Sequence, residues 1–298
     1  MSKKHHHHKA SGKNLLIAIV LNIIITLAQV VGGVFSGSLA LLGDAIHNFS
    51  DVLSLLIAYG ANKLSHRPSN TQKTFGYHRA EILAALFNAS VLIGISVYLI
   101  FEAVHKLFNP EAIDSIWVII LGVLGIIVNT LSVFVIKEDA KSNMNFKAAY
   151  LHLLADVMTS VAVVAGGLLM YYFNLFWVDA LITIFIAIYL IWASFYLVKS
   201  SVYVLMQFVP EGLDLNEIIE TIKTVPQIDN AHHVHLWQLD DNRIHIEAHL
   251  DFCENISIEE STGIIDFLEK RLEELFGISH VTFQCEYNRC EDKELVKK

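Results

Sequence analysis

Charged residues are scarce in this chain, at 17% of 298 positions, whereas a soluble domain carries about 25%. The shortage is uneven. Apolar blocks fill residues 14 to 205, and the acidic surplus behind a net charge of −9 gathers in roughly the last ninety positions. That pattern excludes a single soluble domain and divides the chain into a membrane part and a soluble part. Cysteine is nearly absent too. Cys253, Cys285 and Cys290 make no CxxC pair. A disulfide-stapled scaffold is therefore excluded, and Cys285 or Cys290 is at most an auxiliary soft ligand. The first apolar run has no cleavage pattern and more such runs follow it, which argues against a signal peptide.

What the chain does have is long apolar runs. Six can be drawn, at about 14–35, 39–62, 80–104, 115–136, 148–172 and 176–200. Each spans a hydrocarbon core about 30 Å thick at a rise of 1.5 Å per residue. Backbone groups in lipid need partners within their own segment, so helices are predicted. Basic residues fix the expected orientation. Lys3, Lys4, Lys9 and Lys13 precede the first span, Lys63, Arg67, Lys73 and Arg79 separate the second and third, and Lys137, Lys141 and Lys147 the fourth and fifth. Lys106 stands near the opposite side, so the positive-inside rule puts both termini in the cytoplasm of a multi-pass protein. Residues 1–13 read as a polar tail. His5 to His8 within it fit a cloning tag and a native metal-collecting tether equally well. Gly33 and Gly37 are spaced for close helix contact.

Two short stretches inside the apolar runs carry the chemistry: His47-Asn48-Phe49-Ser50-Asp51 and His152-Leu153-Leu154-Ala155-Asp156. At i and i+4 on a helix, histidine and aspartate share a face about 6 Å apart along the axis. A lone intramembrane histidine is ordinarily a structural hydrogen-bonding group. Two copies of one spacing in separate apolar helices instead point to a ligand set, because ionisable groups at that depth are costly and line functional cavities. Neither copy has the glutamate between two histidines that a zinc protease needs, and no enzyme activity is expected. Two imidazoles and two carboxylates suit tetrahedral zinc, whereas all-oxygen sets suit magnesium, calcium or manganese. Carboxylates in apolar surroundings take up protons unless a cation holds them ionised, so such a site can exchange metal for protons. Alternating exposure to the two sides completes a transporter. Another divalent cargo (Cd, Co, Fe or Ni) and a membrane zinc sensor that moves no ions are the rival readings.

Other polar span residues have milder expected roles. Asp44 lines an exit vestibule or caps a helix, and Asp179 is solvent-exposed at the outer start of span six. Asn22, Gln29, Asn88, Glu102 and Asn129 join helices or line a water path. Phe75-Gly76-Tyr77-His78-Arg79-Ala80-Glu81 reads as an interfacial anchor, with Arg79 a candidate for gripping the soluble domain.

Residues 206–288 change character. A helix over 214–224, strands over 231–239 and 243–251 with a turn at Asp240-Asp241-Asn242, a helix over 257–276 and a strand over 280–287 predict a small two-layer α+β domain. Residues 289–298 form a C-terminal tail. In the second strand Ile244, Ile246, Ala248 and Leu250 take one face and His245, Glu247 and His249 the other. That polar face is either a solvated or dimer-forming surface, or a regulatory metal site using some of His232, His249 and Glu286. Strand alternation does not choose between His232 and His233.

Taken together, these motifs resemble the cation diffusion facilitator family of proton-coupled zinc exporters. The two His-x-x-x-Asp pairs, the Phe75–Glu81 segment, His232-His233-Val234-His235-Leu236-Trp237 and His280–Glu286 carry the likeness, which covers nearly the whole chain. The resemblance implies a membrane all-α domain of six helices with a cytoplasmic α+β metallochaperone-like domain, working as a homodimer in the bilayer. It assigns His47, Asp51, His152 and Asp156 to the transport site, with histidine at position 47 linked to zinc over cadmium. It also implies export of cytoplasmic Zn2+ against H+, and no nucleic-acid partner. There are departures. Asn70–Tyr77 lacks the ligands of a second loop site, Gln207 breaks a charge pairing with Arg79, and Gln284 stands where some members have histidine. No long histidine-rich loop follows span four, which points to a prokaryotic-type exporter in a cell membrane.

Overall fold

The computed structural model describes residues 11–65, 67–136, 144–240, 243–289 and 294–295. The apolar runs form α1 (Ser11–Ser36), α2 (Leu39–Ser65), α3 (Ala80–Phe108), α4 (Ser115–Ile136), α5 (Met144–Phe173) and α6 (Trp177–Leu205). Then come α7 (Leu215–Ile222), β1 (Ile228–Asp240), β2 (Arg243–Phe252), α8 (Ile258–Phe276) and β3 (Ile278–Glu286). Among the described residues four stretches are long and apolar enough to cross a bilayer: Ala80–Phe108, Ser115–Phe134, Leu153–Phe173 and Trp177–Leu205. The described apolar stretch of α1 is Asn22–Ser36. α2 interrupts its apolar sequence with Asp44, His47, Asn48 and Asp51. Phe101, Phe185 and Trp192 point outward, as side chains facing lipid do.

Contacts divide the chain into two compact units, the helices up to Tyr59 with Phe87–Leu197, and Gly60–Leu86 with the chain from Val198 onward. The connection between α2 and α3 and the end of α6 thus group with the C-terminal domain.

In the helical unit, glycines set how closely helices approach. A Cβ on Gly122 would fall 2.6 Å from Val164, and one on Gly167 would fall 2.9 Å from Ile119, so α4 and α5 pack backbone against side chain. Leu41, Met170, Ile186 and Leu190 fill the core between helices. Gly33 and Gly37 divide their labour. Gly33 packs against Leu42, whereas Gly37 meets nothing and adopts φ +75°, turning the chain into α2. Asp179 corrects an expectation. It is 1% exposed rather than solvated. Its carboxylate accepts from Ser38 Oγ at 2.5 Å and from the N–H groups of Leu39 at 2.8 Å and Ala40 at 3.4 Å. A side chain of α6 therefore satisfies the free N–H groups at the start of α2.

The C-terminal domain is a three-stranded sheet in the order β1-β2-β3, with β1 and β2 antiparallel and β2 and β3 parallel across α8. α7 and α8 cover one face. Ile218, Ile222, Leu268 and Leu272 pack on Ile246, Ala248 and Leu250, and burying each large aliphatic side chain contributes about 2 kcal/mol. Leu275 of α8 is exposed. α8 starts at a capping box formed by Ser257 and Glu260 and ends at Gly277 in the left-handed region. The Ser257 N–H, more than its hydroxyl, holds the Glu260 carboxyl below the usual range. The expected turn residues Asp241 and Asn242 lie outside the described residues.

Candidate metal site

The polar residues of α2 fall on a buried face because three of them, Asp44, His47 and Asp51, recur at spacings of three and four. The Asp179 cap fixes where that helix begins, and the face then meets α5. His47 Nε2 lies 2.9 Å from Asp156 Oδ1 and 3.7 Å from Asp51 Oδ2. Ligand atoms of His47, Asp51 and Asp156 all lie within 4.8 Å of one another. His47 and Asp156 are buried, while the side chain of Asp51 is 32% exposed. His152 is on α5, one turn before Asp156; its side chain lies outside the described residues. Tyr189 of α6 stands edge-on to the His47 ring, with centroids 6.3 Å apart. An imidazole between two carboxylates offers a divalent cation one borderline nitrogen and two charged oxygens from two helices, a set that can also hold protons.

Behind this group lies a second polar knot, in which Gln29 joins helices as expected. Asp44 is fully buried, not in a vestibule. It accepts from Gln29 Nε2 at 3.0 Å, Thr159 Oγ1 at 3.0 Å and Ser160 Oγ at 3.2 Å. Asn48 Nδ2 donates to Gln29 Oε1 at 3.3 Å. Asp44 and Asn48 flank His47 on α2, so the knot ties α1 and α5 to α2 beside the candidate ligands. Asn88 joins α3 to α2 through Ser50 Oγ at 3.3 Å.

The second group forms on the sheet face opposite the helices. His232 of β1, His249 of β2 and Glu286 of β3 bring ligand atoms within 4.8 Å of one another. His249 Nδ1 is 2.9 Å from Glu286 Oε1, and His232 Nε2 is 3.7 Å from Glu286 Oε2. A bulge chooses between His232 and His233. Register slips between His232 and His235, and His233 takes φ +52°. The extra residue puts Ala231 and Val234 in the core and leaves His232 facing the group. Asp251 Oδ2 stands 3.4 Å from His232 Nδ1, an orienting contact of the kind metal-ligating histidines make. Gln284 donates to Glu286 Oε1 at 2.6 Å and Arg289 to the same oxygen at 2.9 Å. Cys285 is exposed; Cys290 lies outside the described residues.

Within the Gly60–Leu86 segment, His78 rather than Arg79 holds the β1–β2 hairpin. His78 Nδ1 is 3.2 Å from Asp240 Oδ2, and Arg243 Nη1 is 2.8 Å from His78 Nε2. Arg79 and Gln207 line a cavity with Trp237.

Comparison with known proteins agrees along the chain. Residues 15–206 match the cation efflux transmembrane domain, and residues 210–288 match the cytoplasmic domain of cation efflux proteins. The cation efflux system protein CzcD of Alcaligenes sp. (strain CT14) is 34% identical over 293 residues, 98% of this chain and 92% of the relative. The cadmium, cobalt and zinc/H(+)-K(+) antiporter of Bacillus subtilis (strain 168) is 35% identical over 284 residues, 95% of this chain and 91% of the relative. The zinc transporter ZitB of Escherichia coli (strain K12) is 30% identical over 291 residues, covering 97% and 92%.

Proposed function

The chain belongs to the cation efflux family, and from that premise we propose that it exports zinc from the cytoplasm in exchange for protons. His47, Asp51 and Asp156, with His152, form the transport site in a membrane domain spanning residues 14–205. The observation that carries the reading is the meeting of His47 and Asp51 of α2 with Asp156 of α5. Ligands from two helices allow the site to be remade when the helices shift, as alternating access requires. With metal absent, the imidazole and carboxylates can hold protons, and metal binding, which needs deprotonated ligands, displaces them. Protons arriving from the far side then compete the metal off. The Escherichia coli relative is a zinc transporter and the Bacillus subtilis relative exchanges zinc with H(+) and K(+), which supports cargo and counter-ion. Cadmium and cobalt in the name of the Bacillus subtilis relative favour a wider cargo as the second reading.

Residues 206–288 serve, in this proposal, as a cytoplasmic dimerisation domain whose His232, His249 and Glu286 take a regulatory zinc ion; residues 1–10 and most of 289–298 lie outside the described residues. Both termini are cytoplasmic. Zinc flux into inside-out proteoliposomes under an imposed pH gradient tests the antiport. Wild-type flux must follow the gradient; flux indifferent to it would overturn the exchange, and binding without flux would make the protein a sensor.

A further inference from the structure

Asn129 of α4 is fully buried, and neither atom of its amide has a hydrogen-bond partner among the described residues. Thr26 of α1 is 1% exposed with its hydroxyl unpartnered. Asn22 Oδ1, one turn before Thr26, is buried and unpartnered as well. These groups share one seam. Gly32 packs on Leu121, and a Cβ on Gly125 would fall 2.8 Å from Gln29 Nε2. α1 and α4 therefore run antiparallel, and each turn forward on α4 meets one turn back on α1. The same register puts Asn129 level with Thr26, and Ser132 level with Asn22. At its inner end the seam reaches Gln29, which donates to Asp44 and accepts from Asn48. Asn48 Oδ1 is itself unpartnered, and Asn48 adjoins His47.

We propose that the α1–α4 seam holds a file of water molecules that conducts protons between the N-terminal end of α1 and the Asp44 side of the metal site. Buried amides and hydroxyls in a membrane need partners; Ser132 Oγ donates to Val128 O at 3.0 Å, but the Asn129 amide, the Thr26 hydroxyl and Asn22 Oδ1 find none among the described residues. The groups along the seam are neutral and both donate and accept, which suits water; they lack the carboxylates and imidazoles that would hold a divalent cation. Metal and protons thus use different routes to one site. Each water accepts a proton on one side and releases one on the other, so charge moves and no oxygen atom does. The protons are those displaced from the ligands by metal, so the proposal rests on the exchange reading above.

Two measurements on the full-length protein test it. In proteoliposomes carrying Thr26→Val with Asn129→Leu, zinc flux and proton flux (read by a trapped pH dye) both fall about tenfold or more, while equilibrium zinc binding is unchanged and Asn129→Ser restores flux. Wild-type rates in the double variant would overturn the proposal. Independently, in a chain with Cys253, Cys285 and Cys290 replaced by serine, Ser132→Cys reacts with a small charged methanethiosulfonate and Leu131→Cys, on the outward face, does not. An unreactive thiol at position 132 would overturn the proposal even if the double variant failed to fold. Wild-type zinc flux that ignores a pH gradient defeats the exchange reading instead, and leaves the labelling result standing.

Discussion

His47 Nε2 of α2 lies 2.9 Å from Asp156 Oδ1 of α5, so one imidazole and one carboxylate meet across a helix interface. Replacing the imidazole with a third carboxylate removes a nitrogen ligand that selects for zinc. His47→Asp is expected to relax selectivity toward cadmium. Competition between the two metals for transport in vesicles checks this, and unchanged preference would count against His47 as a ligand.

Asp44 is the acceptor for Gln29, Thr159 and Ser160. Asp44→Ala leaves two buried donors, Gln29 and Ser160, without it, each costing about 1–3 kcal/mol, while the half-buried Thr159 hydroxyl can turn to Asp156 O. Some donors turn to new partners, so a loss of about 3–5 kcal/mol is expected. Asp44→Asn keeps an acceptor and loses less. Thermal unfolding in detergent gives both values.

Asp179→Ala removes the cap that α6 supplies to α2. Loss of a helix cap costs about 1–2 kcal/mol, and here it also frees the helix that carries His47. A lower unfolding temperature together with weaker zinc binding is expected, with Asp179→Asn intermediate.

The sheet-face group predicts a stoichiometry. Wild type should bind two zinc ions per chain in calorimetry, and His249→Ala one, because His249 contacts Glu286 directly. Asp251→Asn should keep the site but weaken it about 10–100-fold, as loss of an orienting carboxylate does.

Much of this was legible from spacing. The six helices follow the apolar runs, and His47 and Asp51 came together with Asp156 because helical period determines which residues share a face. Alternation in β2 gave Ile246, Ala248 and Leu250 to the core. What stayed hidden depends on partners distant in sequence. Asp179 looked like a solvated residue at a span end, since nothing near it in the chain shows that the N-terminus of α2 lies against it. Asp44 looked like a vestibule residue because its three donors come from α1 and α5. His232 and His233 were indistinguishable because a bulge breaks the period of two at that point. His78 was passed over for Arg79, as charge drew attention before geometry.

His245 gives the pH dependence of stability. Burial first, then the neighbouring His280 and Arg243, lower its pKa below the ordinary 6.5. The unfolded chain takes up a proton below 6.5 that the folded chain refuses, so this contribution to stability is present above 6.5 and is lost as pH falls toward the folded value. His245→Gln should flatten that part of the stability profile, measured by unfolding in detergent between neutral and mildly acidic pH.

The central claim is that Asp156 holds the transported metal. Zinc uptake into inside-out proteoliposomes under a pH gradient, comparing wild type with Asp156→Ala matched for insertion and dimer content, tests it most directly. Proton-dependent uptake by wild type and none by the variant is the predicted result. Uptake by Asp156→Ala equal to wild type would contradict the assignment of the site.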